Sequence, residues 1–332
     1  MSYRWISGRP QHKPQRIVSR NVNLSQSRIK CERVCLTTAS AVLVMSLAFL
    51  TNVAVSAPQA PVSSSYSFIS LDIPAPDGRL GFTNLADIAD NGDLVDFFVA
   101  APLAPGFLVQ QLRAVPISCE QARFTTPTGI NNRGEVVGNC IFPSANPSAQ
   151  GFLRRANGEF VFLSAPGATS TSAANLNDRS EVVGFYTAGG RTHGFAWANG
   201  VFQTVDLPHS QTFIRGINNL GQIVGDYIDL SGRDHGFIRY PDGSFSPIDF
   251  PGAQATFAED INDNGDVVGG YRESQGQTHS FLLKNGRMAP FEVPFPSTRT
   301  GALGINQKGQ LTGFYIDSSN NFSRGFVASP EH

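Results

Sequence analysis

With 332 residues, 41% of them apolar and 15% charged, the chain is long enough for one large domain or two small ones and too apolar to be disordered. Frequent Gly (33) and Pro (21) beside short runs of Val, Ile, Phe and Thr argue against a helical bundle and for an all-β protein. Past residue 56, seventeen Arg and Lys face twenty-five Asp and Glu, a net charge of −8 with no basic stripe, which argues against a nucleic-acid partner.

The N-terminus differs from the rest. Residues 1–34 form a basic region with eight Arg and Lys and one acid, Glu32. The stretch from Cys35 to Ala57 carries no charge and ends in small residues, so residues 35–56 read as the apolar core and cleavage region of a signal peptide, cut after Ser56. The chain is then secreted, periplasmic or extracellular. The alternative is an uncleaved single-pass membrane anchor, because a segment of that length can span a bilayer. Residues 57–66 are expected to be a linker.

From residue 67 to 329 the chain repeats. "INNRGEVVG" at Ile130 returns as "LNDRSEVVG" at Leu176, "INNLGQIVG" at Ile217, "INDNGDVVG" at Ile261 and "INQKGQLTG" at Ile305, with a worn copy, "IADNGDLVD", at Ile88. The spacings are 42, 46, 41, 44 and 44, and each period holds four short strand patterns separated by turns. In I-N-x-x-G the Asn opens a type I turn and the Gly supplies the positive φ that closes a three-residue hairpin. Ser180 stands in for that Gly in one copy, and the later strand Gly (Gly138, Gly184, Gly225, Gly269, Gly313) implies a close backbone approach. The last copy stops at "RGFVASP" without a fourth strand, while "SFISLDIP" at 67–74 supplies one at the front, its Asp72 matching Asp206, Asp249 and Glu292. The expected fold is a six-bladed β-propeller closed by this N-terminal strand, with a solenoid or a five-bladed count as alternatives.

"HGF" at 193–195 and 235–237, "HSF" at 279–281, and the accompanying "GIN" and "VVG" or "IVG" resemble the HAF family of extracellular repeats over most of residues 81–328. His is present in three of the six copies, with Pro105, Gln150 and Arg324 in the others. The resemblance implies an extracellular location, a bacterial-type protein and repeat architecture; it implies no reaction.

His193, His235 and His279 begin the third strand of their repeats, far from the axis, and are expected to bond within their own blade rather than share a metal. "DINDNGD" at Asp260 to Asp266 opens like a calcium loop, but Tyr271 falls where the bidentate acid belongs. No G-x-S-x-G elbow, H-E-x-x-H or Cys-x-x-Cys occurs. Cys119 and Cys140 lie in one repeat and are candidates for a disulfide. The residue before each motif Ile alternates between an oxygen-bearing side chain and Gly: Asp87, Gly129, Asn175, Gly216, Asp260, Gly304. Asp87, Asn175 and Asp260 are therefore candidate metal ligands at one channel mouth, with calcium the suited ion. The functional expectation is a secreted or cell-surface protein with a binding or structural role toward an unidentified extracellular ligand such as a glycan or cell-wall component. The alternative is a metal-assisted hydrolase or lactonase with its site at the channel mouth.

Overall fold

The computed structural model describes residues 62–74, 82–97, 105–142, 149–208 and 210–331, with two short strands, Gln15–Arg16 and Val18–Asn21. The signal or anchor segment expected at 35–56 and residues 57–61 of the expected linker lie outside the described residues.

Six antiparallel sheets stand around one axis as the blades of a propeller. Blade 4 is representative: Gln211–Ile217 is innermost, followed outward by Ile223–Ile228, Asp234–Arg239 and Phe245–Ile248. Blades 1, 2, 3 and 5 span 85–117, 124–163, 170–204 and 255–291 in the same order. The innermost strands neighbour one another in sequence, and that of blade 6, Ser297–Ile305, lies against Leu85–Ile88 of blade 1.

Blade 6 takes its fourth strand from the front of the chain. Tyr66–Asp72 pairs antiparallel with Ser323–Pro330, from Gly325 opposite Leu71 to Pro330 opposite Tyr66. The strand begins one residue before the expected 67–74 and ends two before it, and Val62–Ser65 form a 3-10 turn inside the expected linker. Tyr66 and Phe68 are buried with Phe291 and Phe326, so the strand adds core as well as ladder. Val18–Asn21 pairs with the outer side of the same strand, and Gln15–Arg16 pairs with Arg113 and Ala114 of blade 1.

The repeated motif is a hairpin turn. Gly92, Gly134, Gly221, Gly265 and Gly309 all have φ between 72° and 87°, and Ser180 takes the same conformation at 58°. Strain of about 1 kcal/mol is expected for a non-glycine residue there; the Ser180 hydroxyl donates to Glu135 of blade 2 at 2.7 Å. In blade 2 the Asn131 carboxamide oxygen accepts from the N–H groups of Arg133 and Glu135, both at 3.0 Å, which fixes the turn.

The strand glycines lie where a Cβ cannot fit. One added at Gly184, Gly225 or Gly269 would sit 2.0 Å from a carbonyl oxygen of the innermost strand. In blade 1 the position is Asp96, whose Oδ1 instead accepts from Asn84 N–H at 2.7 Å. Burial pushes the Asp96 carboxyl well above the carboxylate range, against the pull of the Asn84 and Phe97 N–H groups. The Phe of each "HGF" is core: Phe195, Phe237 and Phe281, with Phe152 and Phe326 at the matching places, are fully buried between blades. Each contributes roughly 2–3 kcal/mol of apolar burial.

Blades are also joined by polar contacts. Six threonines, each five residues before a motif Ile or Leu, accept from the backbone of the incoming connection. Thr83 accepts from Ile73, Thr125 from Cys119, Thr171 from Ala165, Thr212 from Leu207, Thr256 from Phe250 and Thr300 from Val293. Cys119 and Cys140 form a disulfide with their Cα atoms 5.9 Å apart, tying the approach to blade 2 to its second strand.

Candidate functional site

The signature histidines act within their own blades. His193 Nδ1 lies 2.7 Å from Asp206, and His235 Nδ1 lies 3.0 Å from Asp249, each acid one or two residues past the fourth strand of the same blade. His279 lies 3.5 Å from Glu292. Each imidazole stacks on the tyrosine of the second strand, Tyr186, Tyr227 or Tyr271, at 5.2–5.3 Å between centroids. Arg324 takes the same place in blade 6 and bridges Asp72 and Asp317. These are clamps joining three strands of one blade.

The turn end of the central channel is closed by side chains. At the residue after each motif Asn, backbone N–H groups donate to the side-chain oxygen of the next blade, at 2.7–2.9 Å, through Asp90, Asn132, Asp178, Asn219, Asp263 and Gln307 and back to Asp90. Beneath this ring the motif asparagines donate to one another's carbonyls, from Asn131 to Asn177, Asn218, Asn262 and Asn306, at 3.0–3.2 Å. Asn306 carries the series onto the Ala89 carbonyl of blade 1, where Ala89 has no side-chain donor to continue it. A space of only about 50 Å³ remains.

Next along the axis are the three predicted oxygen-bearing residues, all buried. Asp87 accepts from Ile88 N–H at 2.7 Å and from Ile130 N–H of blade 2 at 2.9 Å. Asp260 accepts from Ile305 N–H of blade 6 and from the Asn175 amide, both at 2.9 Å. Asn175 Oδ1 accepts from its own neighbour, Leu176, at 2.6 Å. The alternating glycines are the counterpart: a Cβ on Gly129, Gly216 or Gly304 would come within 3.0, 2.9 or 2.8 Å of the Cα of Asn175, Asp260 or Asp87. Each odd blade thus places a polar residue in room left by the glycine of the preceding even blade.

Burial raises Asp87 to about 7 against the pull of its two N–H donors. Burial also lifts Asp260 well above the carboxylate range, and the Asp87 charge adds to the effect. Calcium takes six to eight oxygen ligands, whereas the oxygens of this trio face N–H groups. Among the described residues, no group of three or more His, Cys, Asp and Glu is disposed to hold a metal ion, and the trio contains two such residues.

Beyond this plug, toward the start of the innermost strands, the channel widens into a cavity of about 340 Å³. Every innermost strand carries a β-bulge at the second residue before its motif Ile or Leu: Ala86, Thr128, Ala174, Arg215, Glu259 and Leu303. All six bulged residues line the cavity, a placement that strict alternation would not produce. Phe97, Asn139 and Phe185, each following the strand-Gly position on a second strand, share the wall with Ser172, Ala173 and Asn175. Thr128 and Asn139 are committed to joining blades, since both donate to the Ala173 carbonyl, at 3.0 and 3.2 Å.

Arg215 and Glu259 carry the cavity's charge. The Arg215 Nε bonds Asp226 behind it, and its Nη1 lies 3.4 Å from Glu259 Oε2. Burial raises Asp226 to about 6 despite Arg215, and the surrounding carboxylates hold Arg215 protonated above its ordinary range despite its own burial. The Arg215 and Glu259 side chains remain 30% and 26% exposed, so both reach the cavity.

No family model and no curated protein matches the chain. Among solved structures it is similar to the β-propeller domain of the trilobed protease from Pyrococcus furiosus, described as having an open velcro topology. The TM-score is 0.50 at 11% identity, covering 82% of this chain and 92% of that one. Virginiamycin B lyase from Staphylococcus aureus gives a TM-score of 0.47 at 11% identity over 80% of this chain and 99% of that one. A lectin from Aleuria aurantia gives 0.43 at 8% identity over 69% and 94%. The first likeness shows the propeller fold; at such identities none of the three says what this chain binds. Among the described residues no helix is long and apolar enough to cross a membrane.

Proposed function

We propose that the protein is a secreted binding protein whose ligand docks in the cavity at the open mouth of the channel. The observation that carries this reading is the convergence of all six bulged residues on one concave space of about 340 Å³, within the usual size of ligand pockets. The turn mouth is sealed by hydrogen bonds between blades, and the histidine clamps are engaged within single blades. The expected signal peptide and the HAF-like motifs support an extracellular setting, where glycans and cell-wall fragments are the polar ligands at hand.

The test is a thermal-shift screen of glycans and cell-wall fragments against the mature chain and a Leu303→Trp variant, in which the indole occupies the cavity. Hits should shift the parent and not the variant. Hits that shift both equally would remove the cavity from the function. Turnover of a bound compound, in place of its retention, would move the reading to a hydrolase at the same mouth.

A further inference from the structure

We infer that the cavity is built for a neutral ring carrying adjacent hydroxyls, as in a pyranose sugar; this rests on the open mouth being the ligand site. Arg215 and Glu259 stand side by side, Nη1 to Oε2 at 3.4 Å, a separation that leaves the pair loosely bonded. Nε is the guanidinium nitrogen bonded to Asp226, and among the described residues Glu259 bonds with its side chain to Arg215 alone, through Oε2. The cavity therefore meets a donor edge and an acceptor oxygen next to each other.

This pairing discriminates by charge. A cationic ligand drawn to Glu259 would meet the guanidinium, and an anionic ligand drawn to Arg215 would meet the carboxylate. A hydroxyl can accept from Arg215 while a neighbouring hydroxyl donates to Glu259, so a vicinal diol satisfies both at once. The rest of the lining is neutral: Phe97, Phe185 and Leu303 supply its large apolar surfaces, beside the polar side chains of Thr128, Asn139, Ser172 and Asn175. A pyranose has one face of C–H groups and an edge of hydroxyls. Such a ring can lay its C–H face on the phenyl rings and turn its hydroxyls to the Arg215–Glu259 pair. Two charged ligand classes are disfavoured by the same geometry that admits the neutral one.

Saturation-transfer NMR tests this with methyl pyranosides as probes and tetramethylammonium and acetate as charged comparators, each against the parent, Glu259→Gln and Phe185→Leu. Circular dichroism confirms that both variants fold. The expected result is saturation of ring C–H protons in the parent, at least a tenfold weaker affinity in each variant, and loss of binding in the deoxy analogue lacking one hydroxyl of the diol. If tetramethylammonium or acetate binds with the same sensitivity to Glu259→Gln and the pyranosides do not bind, the ligand class is wrong and the site stands. If pyranosides bind equally to all three proteins, the site is wrong. Absence of binding by every probe would overturn both.

Discussion

The adjacent residues Gly269 and Gly270 in blade 5 should respond in opposite ways to the same added methyl group. A Cβ at Gly269 would lie 2.0 Å from the Phe257 carbonyl oxygen and 2.8–2.9 Å from the buried Phe281 ring. Contacts below 3.0 Å cannot be absorbed by rotating a side chain when the neighbour is backbone. The innermost strand must move away from the second strand by about 1 Å, which costs about 1–3 kcal/mol of overpacking and weakens one or two ladder bonds worth about 1 kcal/mol each. Gly269→Ala should therefore destabilise by about 2–5 kcal/mol. A Cβ at Gly270 meets nothing closer than the His279 carbonyl at 3.4 Å. There the smaller entropy of the unfolded chain dominates, and Gly270→Ala should be neutral or stabilising by up to about 1 kcal/mol. Urea unfolding of the two variants at matched pH reads the contrast directly. A difference of less than about 1 kcal/mol would refute the close-approach explanation of the strand glycine.

The other predictions concern closure, protonation and the disulfide. A chain starting at Asp77 lacks Tyr66–Asp72 and its buried Tyr66, Phe68 and Leu71, side chains worth about 1.5–3 kcal/mol each; its melt should be broad and shifted down by well over 10 °C, whereas an unchanged melt would show that the ring does not need this strand. Because folding lifts Asp87 from 3.8 to about 7, the folded chain holds a proton that the unfolded chain releases between those values. Its contribution to stability is complete below about pH 4, declines toward pH 7 by up to about 4 kcal/mol and is flat above. Asp87→Asn should lose most of that slope in urea melts at pH 4.5 and 7.5, and parallel slopes would count against it. Calcium at pH 7.5 should give no calorimetric signal dependent on the axial trio; a signal lost in Asp87→Asn with Asp260→Asn would place the cation there instead. Thiol titration of the unreduced, denatured mature chain should find no free thiol from Cys119 and Cys140, and reduction should cost about 3 kcal/mol for a loop of 21 residues.

Much of the architecture was legible because it depends on local backbone needs. The turn glycines, with Ser180 in the place of one, and the strand glycines stand where positive φ or a bare Cα is required, and those demands write themselves into nearly one residue type per repeat. The alternation of Asp87, Asn175 and Asp260 with glycine was visible as well, but its cause was not. It lies in the close approach of each of these residues to the glycine of the preceding blade, which no single repeat encodes. The motif Asn was legible as a turn residue, while its donation to the neighbouring blade was hidden for the same reason. The cavity was missed for a different reason. A β-bulge is a slip between two paired strands, and Thr128, Arg215 and Glu259 carry no mark of it when read along one strand. The available signal was chemical variety at the bulge position, where six aligned repeats hold Ala, Thr, Ala, Arg, Glu and Leu. Uniform positions build the ring and the variable one faces its opening.

Hydrogen–deuterium exchange of the mature chain, with and without a ligand found by the thermal-shift screen, tests the central claim most directly. If the open mouth is the binding site, protection should rise in the peptides containing Thr128, Arg215 and Glu259 and stay unchanged in the turns at Asn132, Asn219 and Asp263. Protection confined to those turns or to the outer strands would contradict it.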